Sequence, residues 1–333
     1  MRLGENRDTK IVHRVRPSDI PVNDEPDISV VVATYNRRQV LPRAIASVLA
    51  QGTVRFELIV VDDASRDGTS QYLASLKDPR IRLIVAERNG GPSAARNLGL
   101  KAARAGIVAF LDSDDAYRPH RLTVPLAAFA ADPGLVCTLS SAIRHDRKGA
   151  RDARVPDVKL AAPAFAWALI CDLIPVEATS ITVRRDAALA AGGFCERLWL
   201  TEDREFLIRL ARHGGVQLLP QLLWEKFWGD DNLSNAWAKA ASGLVAYARE
   251  QPDLVGRYRK IGSYLATKAL VADVRLGLWG ALWRDLRALQ AAGMIDANVM
   301  RLIGAHLEVR RYRRKMSAAE ALAALTGPPP EWR

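Results

Sequence analysis

Four short apolar runs, separated by segments with helical spacing, constrain the fold of this chain more than any other feature. The runs are "ISVVVA", "FELIVVDD", "IRLIVAE" and "IVAFLD", and they fall between residues 28 and 112. In the segments between them, apolar residues recur every three to four positions, which is typical of amphipathic helices. The third of these helices is expected over "SAARNLGLKAARAG", with Ser93 as its N-cap. Apolar strands that alternate with helices predict a parallel sheet covered on both faces. The expected fold class is therefore α/β.

Polar residues at the ends of these runs predict the position of a site. Ligands of parallel α/β sheets bind beyond the carboxyl ends of the strands. That rule places six residues along one edge of the sheet: Tyr35, Asp62, Asp63, Asn89, Asp112 and Asp114.

Asp112 and Asp114 lie in the stretch "LDSDDAY" and form a pair of carboxylates. In an extended segment, positions i and i+2 point the same way, so both side chains can address one cation. Mg²⁺ or Mn²⁺ takes one or two carboxylates and completes its shell with water and phosphate oxygens. The same pattern also fits acidic residues that are only solvated at a strand end.

Cysteine spacing, apolar stretches and net charge indicate where in the cell the protein is expected and which partners it favours. The three cysteines are far apart, which excludes a disulfide framework or a CxxC metal site and predicts a reducing, cytoplasmic location. The N-terminus lacks the apolar core of a secretory signal. The longest apolar stretch, "LAAPAFAWALIC", is shorter than the roughly 20 residues of a membrane span. The net charge of +11 favours anionic partners.

The sequence predicts three regions. Residues 1–26 contain three prolines and little periodicity, so we expect a flexible N-terminal arm. Residues 27–234 form the expected main domain, with a first half over 27–120 and a second half over 121–234. Residues 235–333 are rich in Ala, Leu and Arg and are expected to be helical.

A basic cluster near the C-terminus allows two interpretations. The cluster consists of Arg310, Arg311, Arg313, Arg314 and Lys315, and aromatic residues are interleaved with arginines before it. The C-terminal region is either a helical subdomain packed on the main domain or a basic surface that rests on anionic lipid. The second interpretation predicts a peripheral protein at the inner face of the plasma membrane.

Five segments in order resemble family 2 glycosyltransferases of the GT-A fold. They are "ISVVVATYNRRQVLPRAIASVLAQ", "FELIVVDDASRDGT", "NGGPSAARNLGL", "FLDSDDAYRPHRL" and "GGFCERLWLTEDREFLIRLARHG", and they extend from roughly residue 28 to 234. The resemblance implies a Rossmann-like, mostly parallel sheet flanked by helices, with a C-terminal helical appendage outside the matching part. It also implies a metal-dependent hexosyltransferase of polysaccharide biosynthesis. Residues 27–234 would then be the catalytic domain, with a nucleotide-binding half over 27–120 and an acceptor half over 121–234.

The resemblance assigns the nucleotide-sugar site residue by residue. Tyr35 would pack along the base, and Asp63 would accept a hydrogen bond from its imide N–H, which favours UDP or dTDP. Arg96 would meet the nucleotide, while Asp62 would order the strand end. The full set implied for the nucleotide sugar is Ala33, Tyr35, Asp63, Arg96, Asp112 and Ser113.

The same resemblance assigns the chemistry. Asp112 would lie near the ribose, and Asp114 would be the direct ligand of Mg²⁺ or Mn²⁺. Asp203 would be the general base on the acceptor hydroxyl, with Glu202 orienting it. One metal carboxylate and one remote base imply a single in-line displacement, with inversion at the anomeric carbon. The acceptor would be a saccharide or lipid-linked hydroxyl.

One segment departs from the family pattern. Many family members have an Arg-x-His or similar basic element where this chain has "WEKFWGDDNLS", residues 224–234, which contains no histidine. Lys226 is the candidate for the positive charge in this segment, while Asp230 and Asp231 add negative charge.

Two other classes of protein remain as alternatives. Phosphatases of the haloacid-dehalogenase type also carry a DxD motif, but they expect Thr or Val where this chain has Ala116. A non-catalytic protein that binds nucleotide or nucleic acid would explain the basic charge. Because the chain lacks zinc-finger spacing, a helix-turn-helix pattern and an aromatic RNA-binding set, no nucleic-acid partner is expected.

Overall fold

The structure is a computed structural model that describes residues 9–10, 25–52, 54–147, 149–170, 173–198 and 201–228, with parts of 266–307. The chain forms two compact units. The first comprises residues 1–159, 176–196 and 212–228, and the second comprises 160–175, 197–211 and 229–333.

The first unit is built on a mixed sheet whose central strands are parallel. Its strands are β1 (Thr9–Lys10), β2 (Ile28–Thr34), β3 (Phe56–Asp62), β4 (Ile81–Ala86), β5 (Ile107–Asp112), β6 (Ala116–Tyr117), β7 (Leu135–Asp146), β8 (Gly149–Ala153), β9 (Val158–Leu160), β10 (Ile181–Arg184) and β11 (Gly215–Phe227). The order is β1-β4-β3-β2-β5-β10-β7-β11-β6, with β8 on β7 and β9 on β11. Strands β4, β3, β2 and β5 are mutually parallel.

Helices connect these strands and also build the second unit. They are α1 (Leu41–Leu49), α2 (Thr69–Ser75), α3 (Gly91–Ala102), α4 (Thr123–Ala131), α5 (Ala162–Ile170), α6 (Arg185–Ala190), α7 (Glu202–Leu210) and α8 (Trp279–Ala291). Two 3₁₀ turns, Ala178–Ser180 and Ala211–His213, complete the described elements.

Helices cover both faces of the central strands, as the apolar runs predict. On one face, alternate residues of β2 such as Val30 and Val32 pack with Leu41 and Ile45 of α1 in the main core. On the other face, α3 packs on β2 and β3. A Cβ atom placed on Gly99 would lie only 2.3 Å from Val31 Cγ1, so this helix approaches the sheet as closely as glycine allows. The α/β prediction is confirmed.

The start of α3 differs from the sequence prediction. We expected Ser93 to be the N-cap, but the helix begins at Gly91, and Ser93 is buried inside it. Gly90 takes the cap position without a side-chain cap, and Gly91 has a positive φ of 85°. The reason lies in Asp63, whose carboxylate accepts hydrogen bonds from the backbone N–H groups of both glycines. The carboxylate of Asp63, which follows β3, thus caps the N-terminus of α3 in place of a local side chain.

The two ends of the chain are described only in part. Within the predicted arm, Thr9 and Lys10 form β1, which pairs antiparallel with β4. Within the predicted helical C-terminal region, α8 is helical as expected, and the basic cluster at 310–315 lies outside the described residues. In the part of the chain that the structure describes, no helix has the length and apolar character needed to cross a bilayer.

The second unit has its own core. Trp167 of α5 and Phe206 of α7 are fully buried. The Arg204 guanidinium donates to the Leu169 carbonyl over 2.5 Å and so ties α7 to the end of α5. This packing fixes the helix that carries Glu202 and Asp203 at its N-terminus.

Candidate active site

The acidic turn Asp112–Asp115 follows β5, a central strand of the sheet. The Asp115 backbone N–H donates to the Asp112 carbonyl over 3.1 Å, which folds the four residues into a tight turn. The register of β2 and β5 places Ala33 beside Asp112, and Ser113 is buried in the turn.

Thr179 holds this turn from the neighbouring 3₁₀ segment. Its Oγ1 atom accepts a hydrogen bond from the Asp112 backbone N–H at 3.1 Å and donates one to Asp115 Oδ2 at 2.6 Å. The fully buried Arg121 fixes the same segment by donating to the carbonyl oxygens of Thr179 and Ile181. The third carboxylate of the turn is thus bound inside the protein.

The charges around the turn are unusual. Burial, followed by repulsion from Asp112, raises the pKa of Asp114, and the same causes raise the pKa of Asp115 well above its ordinary value. Lys226 is the compensating cation. Although burial lowers its pKa, attraction to carboxylates that include Glu177, Asp115 and Asp112 raises the pKa overall.

Two cations reach the turn from outside the acidic segment. Arg43 of α1 donates through Nη2 to the Asp114 carbonyl, and its guanidinium lies 3.6 Å above the ring of Phe227. Lys226 of β11 lies 3.5 Å from Glu177, and only 13% of its side chain is exposed. The end of β11 therefore supplies both a cation and an aromatic support at the acidic turn.

Asp63 follows β3 at the same edge of the sheet. Its two carboxylate oxygens accept backbone N–H groups from Gly90 at 2.9 Å and Gly91 at 2.8 Å. Burial nevertheless outweighs these hydrogen bonds and raises the pKa of Asp63. Its neighbour Asp62 accepts from the Ser65 N–H and the Ser70 hydroxyl, so it orders the strand end as expected.

Arg96 of α3 contacts the acidic turn. Its Nη2 atom donates to Asp112 Oδ1 at 2.8 Å, and its guanidinium lies 5.4 Å from the ring centre of Phe194. The adjacent Asn97 exchanges hydrogen bonds with both the N–H and the carbonyl of Phe194. Two separate sequence segments, "SAARN" and "GGF", are therefore held together by direct contacts.

The loop after β2 carries Tyr35, which is 43% exposed. Asn36 adopts a positive φ of 52°, and its side-chain oxygen accepts the Arg66 N–H while its own N–H donates to the Ser65 hydroxyl. These contacts bind the loop to the one that follows β3 and leave Tyr35 accessible to solvent.

The structure brings most of the predicted site residues together. Ala33, Tyr35, Asp63, Arg96, Asp112, Ser113 and Asp114 all lie at or near the carboxyl edge of the sheet in the first unit. Glu202 and Asp203 lie in the first turn of α7 in the second unit, where Asp203 Oδ1 accepts the Arg204 N–H. Sequence reasoning did not identify Thr179, Arg43 and Glu177, because their contacts with the site join distant parts of the chain.

The donor set at the turn fits a hard divalent cation. Asp112 and Asp114 supply carboxylate oxygens, the ligands that Mg²⁺ and Mn²⁺ prefer, and a cation would relieve the repulsion that raises the pKa of Asp114. In the described ranges, no three His, Cys, Asp or Glu side chains are arranged to hold a metal. Such a site would therefore depend on oxygens of a substrate to complete its shell.

Arg96 and the paired carboxylates lie at the carboxyl ends of the parallel strands, which is where α/β sheets bind their ligands. Residues 29–188 match the family described as Glycosyl transferase family 2. This segment, slightly less than half of the chain, therefore carries the sequence pattern of that family.

Two relatives illustrate the sequence similarity. The chain is 42% identical over 151 residues to the succinoglycan biosynthesis protein ExoO of Rhizobium meliloti (strain 1021), covering 43% of each chain. It is 36% identical over 104 residues to a UDP-Glc:alpha-D-GlcNAc-diphosphoundecaprenol beta-1,3-glucosyltransferase of Escherichia coli, covering 31% of this chain and 41% of that one. The similarity thus spans less than half the length of either relative.

Solved structures share the fold. The S. aureus TarS fragment 1–349 in complex with UDP-GlcNAc superposes with a TM-score of 0.63 at 18% identity, covering 87% of this chain and 90% of that one. The mannosyltransferase PcManGT of Pyrobaculum calidifontis, in complex with GDP-Man and Mn²⁺, gives 0.55 at 19% identity, covering 90% and 86%. The fold is therefore that of GT-A glycosyltransferases, as the resemblance implies.

Proposed function

We propose that this protein transfers a hexosyl group from a UDP- or dTDP-sugar to an acceptor hydroxyl, with inversion at the anomeric carbon. The observation that carries the proposal is the grouping of Asp63, Arg96, Asp112 and Asp114 at one edge of the sheet. A nucleoside diphosphate presents a base, a ribose and two phosphates in a row, and these residue types match those three parts.

Asp63 is the proposed determinant of the base. A uracil or thymine offers an imide N–H, and a carboxylate that is fixed by two backbone N–H groups is a rigid acceptor for it. Tyr35 would lie along the base, and Arg96 would donate to its oxygens or to phosphate. The complex of TarS with UDP-GlcNAc supports a uridine donor, whereas PcManGT was solved with GDP-Man, so the base has to be tested directly.

Asp114 is the proposed direct ligand of Mg²⁺ or Mn²⁺, with Asp112 close to the ribose and the metal-bound waters. When bound, the metal would neutralise the charge that develops on the departing diphosphate. The presence of Mn²⁺ in the PcManGT complex supports this cofactor. In the protein itself, Thr179 and Arg43 hold the turn in shape, while Lys226 adds a positive charge beside it.

Asp203 is the proposed general base, and Glu202 would orient it. An acceptor hydroxyl is a poor nucleophile near neutral pH, and a positioned base typically contributes about 10²–10⁴-fold to the rate. Attack from the face opposite the departing diphosphate in a single displacement inverts the anomeric centre. The opposite anomeric configuration in donor and product is therefore expected.

The acceptor is proposed to be a growing polysaccharide or a lipid-linked saccharide. The Rhizobium relative is named for succinoglycan biosynthesis, and the Escherichia coli relative is named for a diphosphoundecaprenol-linked acceptor. With such acceptors, the transfer is expected to take place at the cytoplasmic face of the plasma membrane. The basic C-terminal region and the net charge of +11 would assist attachment there.

Thermal unfolding of the full-length protein tests the donor site. UDP or dTDP with Mn²⁺ should raise the melting temperature, while nucleotide alone, Mn²⁺ alone, NAD⁺ or duplex DNA should have little effect. Slow hydrolysis across a panel of nucleotide sugars would then identify the sugar, and the anomer released would report inversion or retention. Stabilisation by NAD⁺ or DNA, or hydrolysis of a generic phosphate monoester, would contradict the proposal in favour of the alternatives.

A further inference from the structure

Helix α8 exposes two tryptophans that lie one turn apart. Trp279 is 60% exposed and Trp283 is 64% exposed. The exposed side chains of Val271 and Val274 precede them in the same unit. Large apolar side chains that are grouped on a surface often mark an interaction site. We call Trp279 and Trp283, with the neighbouring arginines described next, the α8 surface.

The charges of this region are segregated. Between residues 266 and 293 the sequence contains two acidic residues, Asp273 and Asp285, and the structure buries both. Arg284 and Arg287 of α8 are exposed, and Arg284 keeps 71% of its side chain accessible while it contacts Asp285. Among the described residues of this stretch, the exposed charges are therefore all positive.

We propose that the α8 surface docks on an anionic lipid bilayer. Tryptophan rings prefer the headgroup level of a membrane, where their apolar body and polar N–H are both satisfied. Exposed arginines beside them would pair with lipid phosphates, and each arginine would contribute about 1 kcal/mol to the binding free energy near an anionic leaflet. A second copy of the chain fits less well, because facing α8 surfaces would bring arginines against arginines.

The test uses the full-length protein and vesicles of phosphatidylcholine with or without phosphatidylglycerol. Two variants address the surface: Trp279→Ala with Trp283→Ala, and Arg284→Gln with Arg287→Gln. Lys77→Gln with Lys101→Gln is the matched control, because it removes the same charge from exposed positions of the other unit. Thermal unfolding of each variant reports whether the fold is kept, and donor hydrolysis reports the catalytic domain separately.

The wild type should pellet with anionic vesicles at low salt and much less with neutral ones. The arginine variant should bind about thirtyfold more weakly, the factor for two cations at about 1 kcal/mol each. The tryptophan variant should bind at least about tenfold more weakly, and the control should bind within about twofold of the wild type after screening. Equal binding by wild type and both surface variants, or a wild-type dimer that the tryptophan variant dissociates without any lipid binding, would overturn the proposal.

Discussion

The Thr179 hydroxyl bonds to two members of the acidic turn at once, accepting from the Asp112 N–H and donating to the Asp115 carboxylate over 2.6 Å. The hydroxyl is fully buried, so each of these bonds is made in the absence of water. The turn can therefore hold three neighbouring carboxylates because one of them is bound inward. This relationship leads to the first prediction.

Replacing Thr179 with Val should weaken manganese-dependent binding of UDP by about tenfold or more, the usual effect of losing a residue that orients a metal ligand. The loss of two buried hydrogen bonds should also destabilise the fold by about 1–3 kcal/mol. Thr179→Ser restores the hydroxyl and should recover most of the binding. Calorimetry with UDP and Mn²⁺ measures the effect, and equal affinities for the Val and Ser variants would contradict the positioning role.

Replacing Asp114 with Ala should abolish the part of UDP binding that depends on Mn²⁺. The carboxylate is the proposed direct ligand, so its removal leaves the metal without an anchor in the protein. The weaker, metal-independent binding of uridine should persist because Asp63 and Arg96 are intact. Calorimetry with and without chelator checks this, and unchanged metal dependence would remove Asp114 from the ligand set.

Replacing Lys226 with Met should weaken binding of UDP by about ten- to a hundredfold, the range for a lost hydrogen bond to a charged group. Uridine, which lacks phosphates, should bind as it does to the wild type. The exposed Lys101→Met serves as the control. A parallel loss of uridine and UDP binding would instead indicate that Lys226 only supports the structure.

Replacing Asp203 with Asn should lower turnover by about 10²–10⁴-fold while donor binding stays close to that of the wild type. Amide nitrogen cannot accept the acceptor's proton, but the side chain keeps its size. Asp186→Asn is a matched control, since Asp186 also lies in the first turn of a helix. Wild-type turnover in the Asp203 variant would exclude the residue as base.

Glu57 allows a prediction about stability and pH. Its carboxylate accepts from Ser29 at 2.7 Å, from the Arg104 N–H at 2.7 Å and from Arg82 at 2.6 Å. Although burial raises its pKa, these hydrogen bonds lower it overall, below the ordinary value of 4.5. The ionised form therefore stabilises the folded state, and this stabilisation is fully present above about pH 4.5.

Replacing Glu57 with Gln should cost about 1–3 kcal/mol in the free energy of unfolding at neutral pH, because it removes the charge that accepts hydrogen bonds from Arg82 and Arg104, both of which are partly exposed. The difference from the wild type should shrink as the pH falls from about 4.5 through the folded-state pKa. Denaturant unfolding at several pH values measures both trends. The exposed Glu87→Gln should change stability little, and a difference independent of pH would contradict the assignment.

Local patterns predicted the four central strands, β2 to β5, and their order along the chain. Buried runs such as 28–34 and 56–62 are apolar at nearly every position, so they could only be central strands. Because parallel strands share a carboxyl edge, the residues after them could also be grouped in advance, although their roles stay predictions. The apolar pattern and the geometry of parallel sheets were therefore sufficient to predict the central strands and the residues grouped at their carboxyl edge.

Features that depend on contacts between residues far apart in the sequence could not be predicted. Thr179 is 64 positions from Asp115, and no local pattern distinguishes it from other threonines. The start of α3 was wrong because Asp63, 28 positions before Gly91, supplies the capping group that Ser93 was expected to provide. The role of Lys226 likewise depends on Glu177, which the sheet brings beside it.

The close approach of α3 to the sheet at Gly99 has a consequence for how this domain can vary. The same helix presents its first N–H groups to Asp63 and, through Arg96, a guanidinium to Asp112. Any side chain at Gly99 would clash with Val31, so α3 would have to shift away from the sheet. A single methyl group added at Gly99 is therefore expected to disturb both contacts, the one with Asp63 and the one with Asp112, although Gly99 takes part in neither.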